Sequence, residues 1–171
     1  MFRHELKITG IHAVILKKYT ERGSGKDDVE KVKLSTKLLS GKKEEILHLF
    51  STYFDGLTTG MALGIKLNKK TKSDPNEDFT ATIFTDKLIS QPSQALLKRI
   101  YETYHFSISK QEDSEKIKSI FKTDHTKEEI KEIEDLLLSY AYAGLEFIDD
   151  TFKNTATIDE FSLKLQKILN D

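Results

Sequence analysis

Arg99 and His105 stand six residues apart in RIYETYH. An arginine there can bind phosphate charge, and a histidine can carry a proton near neutral pH. On a regular helix, however, six residues place the two side chains about 120° apart. Two acidic groups offer a different chemistry. TDHTKEE supplies Asp124, His125, Glu128 and Glu129, and GLEFIDD supplies Glu146, Asp149 and Asp150. His125 and Glu129 share a helix face and would need carboxylates from the second group to hold a divalent ion. Along one straight helix the two groups lie roughly 30 Å apart. Acidic residues at a helix start are stabilising without any metal. Acidic residues near its end oppose the dipole, so either the helix runs on past Phe152 and Lys153 or a cation stands nearby.

No Gly-x-Ser-x-Gly or His-Glu-x-x-His pattern occurs, and the absence of cysteine removes thiolate nucleophiles, thiolate metal sites and disulfides. His12, inside GIHAVIL, reads as a strand residue with a hydrogen-bond partner. In TERGSGKDD, residues 20–28, a Gly-Lys pair suggests a phosphate-binding loop. Thr20 takes the place of the first glycine of that motif, and Asp27 the place of the hydroxyl that would hold Mg²⁺. The stretch therefore reads as a hairpin turn. No catalytic residue, metal ligand or cofactor is assigned, and the expectation is a protein that is not an enzyme.

Lys31, Lys33 and Lys37 alternate along one segment, and Lys66, Lys69, Lys70 and Lys72 cluster in a second. A sheet carrying both would present a basic face to a phosphate backbone. The overall charge of −1 divides unevenly: residues 1–110 carry 19 basic and 13 acidic side chains, residues 111–171 carry 8 and 15. Such asymmetry fits an anionic partner, or two parts of one protein that attract each other.

Two resemblances bear on these residues. The Arg99–His105 spacing resembles the signature of HEPN ribonucleases, which implies RNA-phosphate chemistry on a helical bundle over residues 90–171. IHAVILKK, VKLSTKLL and ILHLFSTYF resemble the opening of bacterial nucleoid-associated proteins of the NdpA type, which implies association with DNA and covers about a quarter of the chain.

The elements that must position these groups follow from patterning. LKITGIHAVILKKY is apolar on both sides and predicts an interior strand; Val32 to Leu38 alternates with lysines and serine and predicts its hairpin partner. A helix capped by Ser40 is expected to carry Ile46, Leu49, Phe50 and Tyr53 inward and to end at Gly56. Met61 to Leu67 and Phe79 to Ile83 alternate again and predict a second hairpin. From Ser90 the signals are helical. Pro92 opens one helix with a stripe at Leu96, Leu97, Ile100, Tyr101 and Tyr104. Capping boxes at Ser109/Glu112, Thr126/Glu129 and Thr157/Glu160 open three more.

The expected fold class is α+β. A small antiparallel sheet in the order β-β-α-β-β, packed with helices over residues 1–89, precedes a four-helix part over 90–171, the whole forming one compact domain. No apolar run reaches the roughly 20 residues of a membrane span, so the expectation is a cytoplasmic protein without a membrane partner. The expected function is that of a protein-binding module, an adaptor, inhibitor or small subunit, whose partner is another protein or a second copy. EDLLLSYAYAGLEFI spreads apolar residues around most of a helix and nominates Leu138, Tyr142 and Leu145 as interface, unless other helices enclose them. Nucleic-acid binding through the seven lysines is the alternative, and a HEPN-like ribonuclease the second.

Overall fold

The computed structural model describes residues 5–21, 29–38, 41–84 and 126–170. Within them the order is β1 (Glu5–Thr9), α1 (Gly10–Tyr19), β2 (Lys33–Leu38), β3 (Gly41–Ile46), α2 (Tyr53–Lys66), β4 (Thr80–Phe84), α3 (Lys127–Phe152) and α4 (Ile158–Asn170). The class is α+β, with two small antiparallel sheets, four described helices and a helical C-terminal part. The helices expected around Pro92 and Ser109, and with them Arg99, His105, Asp124 and His125, fall outside the described residues.

β1 pairs with β4 from Glu5↔Phe84 to Thr9↔Thr80. Leu6 and Ile8 lie opposite Ile83 and Ala81, and all four are buried, while Glu5 and Lys7 face water. This is the alternation of a sheet with one covered face. The strand then stops where the sequence predicted that it would continue. Gly10 has φ of 59°, a left-handed conformation that turns the chain straight into α1, and its N–H donates to the Phe79 carbonyl at 3.0 Å. Residues 11–16 are therefore helix, not strand. His12, Ile15, Leu16 and Tyr19 make the inward face at helical spacing, with Ala13 and Lys17 also buried. A continuous apolar run enclosed on most sides has no period that separates strand from helix.

That turn redistributes the pairing. β2 pairs with β3, from Lys33↔Ile46 to Leu38↔Gly41, instead of with the first strand. Where a helix was expected after Ser40, Gly41–Ile46 is strand. The helix begins at Tyr53, behind a capping box in which Thr52 Oγ1 accepts from the Asp55 N–H and the Asp55 carboxylate accepts from the Thr52 N–H. It runs through Gly56, Gly60 and Gly64 to Lys66, and Asn68, just past the Leu67 cap, has φ of 51° and supplies the left-handed residue expected at Gly56. Met61 to Leu67, predicted as a strand, lies in this helix or at its cap, so there is no second hairpin. Phe79 to Ile83 does hold a strand, β4, which pairs back to β1.

The glycines have a packing reason. A Cβ on Gly64 would sit 1.9 Å from the Tyr140 carbonyl oxygen, and one on Gly144 would sit 1.8 Å from that of Gly60. The backbones of α2 and α3 touch along this seam, the most extensive helix packing in the described structure. One apolar core runs from Leu6 and Ile8 through α1 and α2 to Leu137, Leu145 and Phe152 of α3, joining residues on both sides of position 90.

Candidate functional site

Leu138, Tyr142 and Leu145 are buried within this core on α3, with Leu145 fully covered where it meets Gly60. α1 and α2 pack against α3 around them.

The lysines divide. The Lys31 ammonium donates to the carbonyls of Lys17 and Thr20, the latter at 3.2 Å, and so closes the C-terminal end of α1. Burial pushes its pKa down. Lys33 is exposed on β2, and Lys37 follows on the same strand, opposite Lys42. Lys66 is on α2 and reaches the Ile168 carbonyl at 3.4 Å; Lys69, Lys70 and Lys72 follow on the loop after it. The seven lysines do not share one sheet. Lys70 and Lys72, with Thr71, border an open groove of about 510 Å³ whose other wall is α3 from Glu132 to Ser139. Two ammonium groups and the carboxylates of Glu132 and Asp135 face it, a lining without a single charge sign. Lys70 also lies 5.9 Å from the Tyr140 ring centre.

The acidic end of α3 is where distant segments meet. The helix stops at Phe152, and the cations required there are present. Lys18 bonds Asp149 at 2.7 Å and Lys153 bonds Asp150 at 2.6 Å. Asp149 also accepts from the Tyr19 hydroxyl at 3.0 Å, and burial first, then this carboxylate, pushes the Tyr19 pKa up. Among the described residues no group of three His, Asp or Glu side chains is placed to hold a metal ion.

One turn earlier lies the most unusual cluster. His12, 1% exposed, faces the Glu146 carboxylate through Nε2 at 3.1 Å and stacks on Tyr142 with ring centres 4.3 Å apart. Its Nδ1 is buried without a hydrogen-bond partner among the described residues. The other Glu146 oxygen accepts from the Thr71 hydroxyl at 2.9 Å. Residues 68–79 thus form a strap across the molecule. Thr71 N–H donates to the Ser139 carbonyl at 3.0 Å, and further along Asp74 accepts from the Ile11 N–H at 2.8 Å, capping the start of α1. The Thr9 hydroxyl donates to the Asp74 carbonyl.

Burial pushes the His12 pKa below the ordinary histidine value, against the opposing pull of its hydrogen bond to Glu146 and the charges of Glu146 and Asp74. The neutral ring donates from Nε2 and keeps a lone pair on Nδ1. This is a carboxylate–histidine pair with the geometry of a proton carrier, yet the ring is closed to any substrate in this conformation. Sequence reading gave His12 a hydrogen-bond partner, and it has one, but on a helix and 134 positions away. Nothing in local spacing points to Glu146 or to the strap.

The chain matches no protein-family model, no curated protein and no solved structure. Its opening, likened to a histidine-containing strand of nucleoid-associated proteins, places His12 on a helix. No helix among the described residues is long and apolar enough to cross a membrane.

Proposed function

We propose that this protein is a non-enzymatic protein-binding module that meets its partner through α4. The observation that carries this reading is the surface of that helix. α4 has no buried residue, and Leu163, Leu165 and Leu169 are 68%, 37% and 72% exposed. Ile158, Phe161 and Ile168 lean on the core; Leu165 and Leu169 lie along the edge of that side, and Leu163 points away from it. The helix is fixed at both ends: the Ser35 N–H of β2 donates to the Ala156 carbonyl at 2.8 Å, and Lys66 of α2 reaches Ile168. Thr157 Oγ1 accepts from the Glu160 N–H and the Glu160 carboxylate from the Ala156 N–H, so the expected capping box forms with its return bond moved back one residue. A helix held in place with leucines in water is suited to docking, because each leucine buried in an interface contributes about 2 kcal/mol. Catalysis has less support among the described residues, where the His12–Glu146 pair is closed to substrate.

Leu163→Asp with Leu169→Asp tests the reading. The doubly substituted chain is expected to melt within a few degrees of the parent and to lose association, measured by sedimentation velocity for self-association and by photo-crosslinking from position 163 for a second protein. Crosslinking from exposed Lys7 on β1 serves as the control. A monomeric parent whose crosslinks from position 163 do not exceed those from position 7 overturns it.

A further inference from the structure

We propose that His12, Glu146 and Thr71 form a proton-operated clasp, in which a proton taken up by the buried His12 ring frees the 68–79 strap from α3. The geometry has three parts. A single carboxylate, Glu146, is bonded on one oxygen to the His12 ring and on the other to the Thr71 hydroxyl, so ring and strap are held by the same group. The free ring nitrogen, Nδ1, is buried with no acceptor among the described residues, so a second ring proton there makes an N–H that cannot be satisfied in place. The ring lies in the first turn of α1, stacked on Tyr142 of α3, with the strap's Asp74 bonded to the neighbouring Ile11 amide. Enclosed in this way, it reaches water only when the strap gives way.

The charged groups that act on the ring are Glu146 from α3 and Asp74 from the strap, both favouring the proton, and burial outweighs them. On α1 itself Lys18 is held by Asp149; on the β1 side Lys7 is paired with Glu77 of the strap at 3.0 Å. Asp74, held below the usual carboxylate range by the amides of Asn76 and Ile11, stays ionised across the range of interest. In the open form the ring recovers an ordinary pKa of about 6.5. Between that value and the lower one of the closed form, the open form binds more protons. Each unit of falling pH then raises the open population about tenfold, and above about pH 6.5 the population is constant.

Hydrogen exchange followed by NMR between pH 7.5 and 5 tests this. The Thr71 and Ile11 amides both donate into contacts that the strap makes. Their protection factors, corrected for intrinsic exchange, are expected to fall as the pH drops below about 6.5, by up to about tenfold per unit until the closed ring itself titrates, while amides of the β1–β4 ladder keep theirs. In His12→Gln the fall disappears. Thr71→Val, which leaves the ring in place, is expected to give low, pH-independent strap protection while the His12 ring still titrates. Strap protection that is flat with pH in the parent, or that keeps the parent's slope in either variant, overturns the clasp.

Discussion

Lys31 shows how the same residue type serves opposite ends. Its sequence neighbours suggest a row of lysines offered to an anion, but its ammonium is turned back onto the last carbonyls of α1, where Thr20 leaves in an extended conformation without a capping glycine. Hydrogen bonds from a charged donor to backbone carbonyls contribute more than a surface charge does, and this one is half-buried. Lys31→Met is accordingly expected to lower stability by about 1–2 kcal/mol. Lys33→Met, on the exposed face of β2, should change it by less than about 0.5 kcal/mol. Chemical denaturation of the two variants with unchanged slope checks the contrast; equal losses would mean that the α1 cap carries no weight.

Element by element, the α2–α3 seam decides the architecture. Glycine in a helix interior costs about 1 kcal/mol relative to alanine, and α2 accepts this at Gly56, Gly60 and Gly64. At Gly64 and Gly144 an added methyl meets backbone of the facing helix at under 2 Å, so the helices themselves must separate. At Gly56 the nearest atom is the end of the Leu16 side chain at 2.7 Å, which can rotate aside. Gly64→Ala and Gly144→Ala are therefore expected to lose about 3 kcal/mol despite the gain in helix propensity, as overpacked cores do. Gly56→Ala should fall within about 1 kcal/mol of the parent, propensity offsetting a local adjustment. Thermal melts of the three variants distinguish a backbone seam from ordinary side-chain packing, which would give all three similar losses.

For the molecule as a whole, the uneven charge along the chain is partly consumed inside the fold, where Lys18 of α1 meets Asp149 of α3. The N-terminal excess that stays outside includes Lys33, Lys69 and Lys72, all exposed. Nucleic-acid binding, the alternative to a protein partner, would draw on these. It predicts that duplex affinity falls steeply with salt and that substituting the three by alanine reduces the log–log slope by about 3. The protein-binding reading predicts no retained duplex at about 0.15 M salt. Fluorescence anisotropy of a labelled duplex over a salt series separates the two.

Several features were determined by the sequence alone. The α+β class, β1 as far as Ile8, a strand within Phe79 to Ile83 and the helix starts near Thr126 and Thr157 all rest on local signals: alternation, caps and period. At the acidic end of α3 the sequence left two outcomes, a longer helix or a nearby cation, because a carboxylate at a helix C-terminus is unfavourable alone; the stop at Phe152 beside Lys18 and Lys153 selects the second. Tertiary structure decided the rest. Residues 11–16 are mostly apolar, with β-branched Ile11, Val14 and Ile15, which suits a strand, but a left-handed Gly10 and burial on most sides make them helix. Gly56, Gly60 and Gly64 read locally as a stop and a strand, and only contact with α3 gives their four-residue spacing a meaning. The pairing of β1 with β4, and of His12 with Glu146 across 134 positions, has no local signal, because such contacts are chosen by which apolar faces can be buried together once the elements exist.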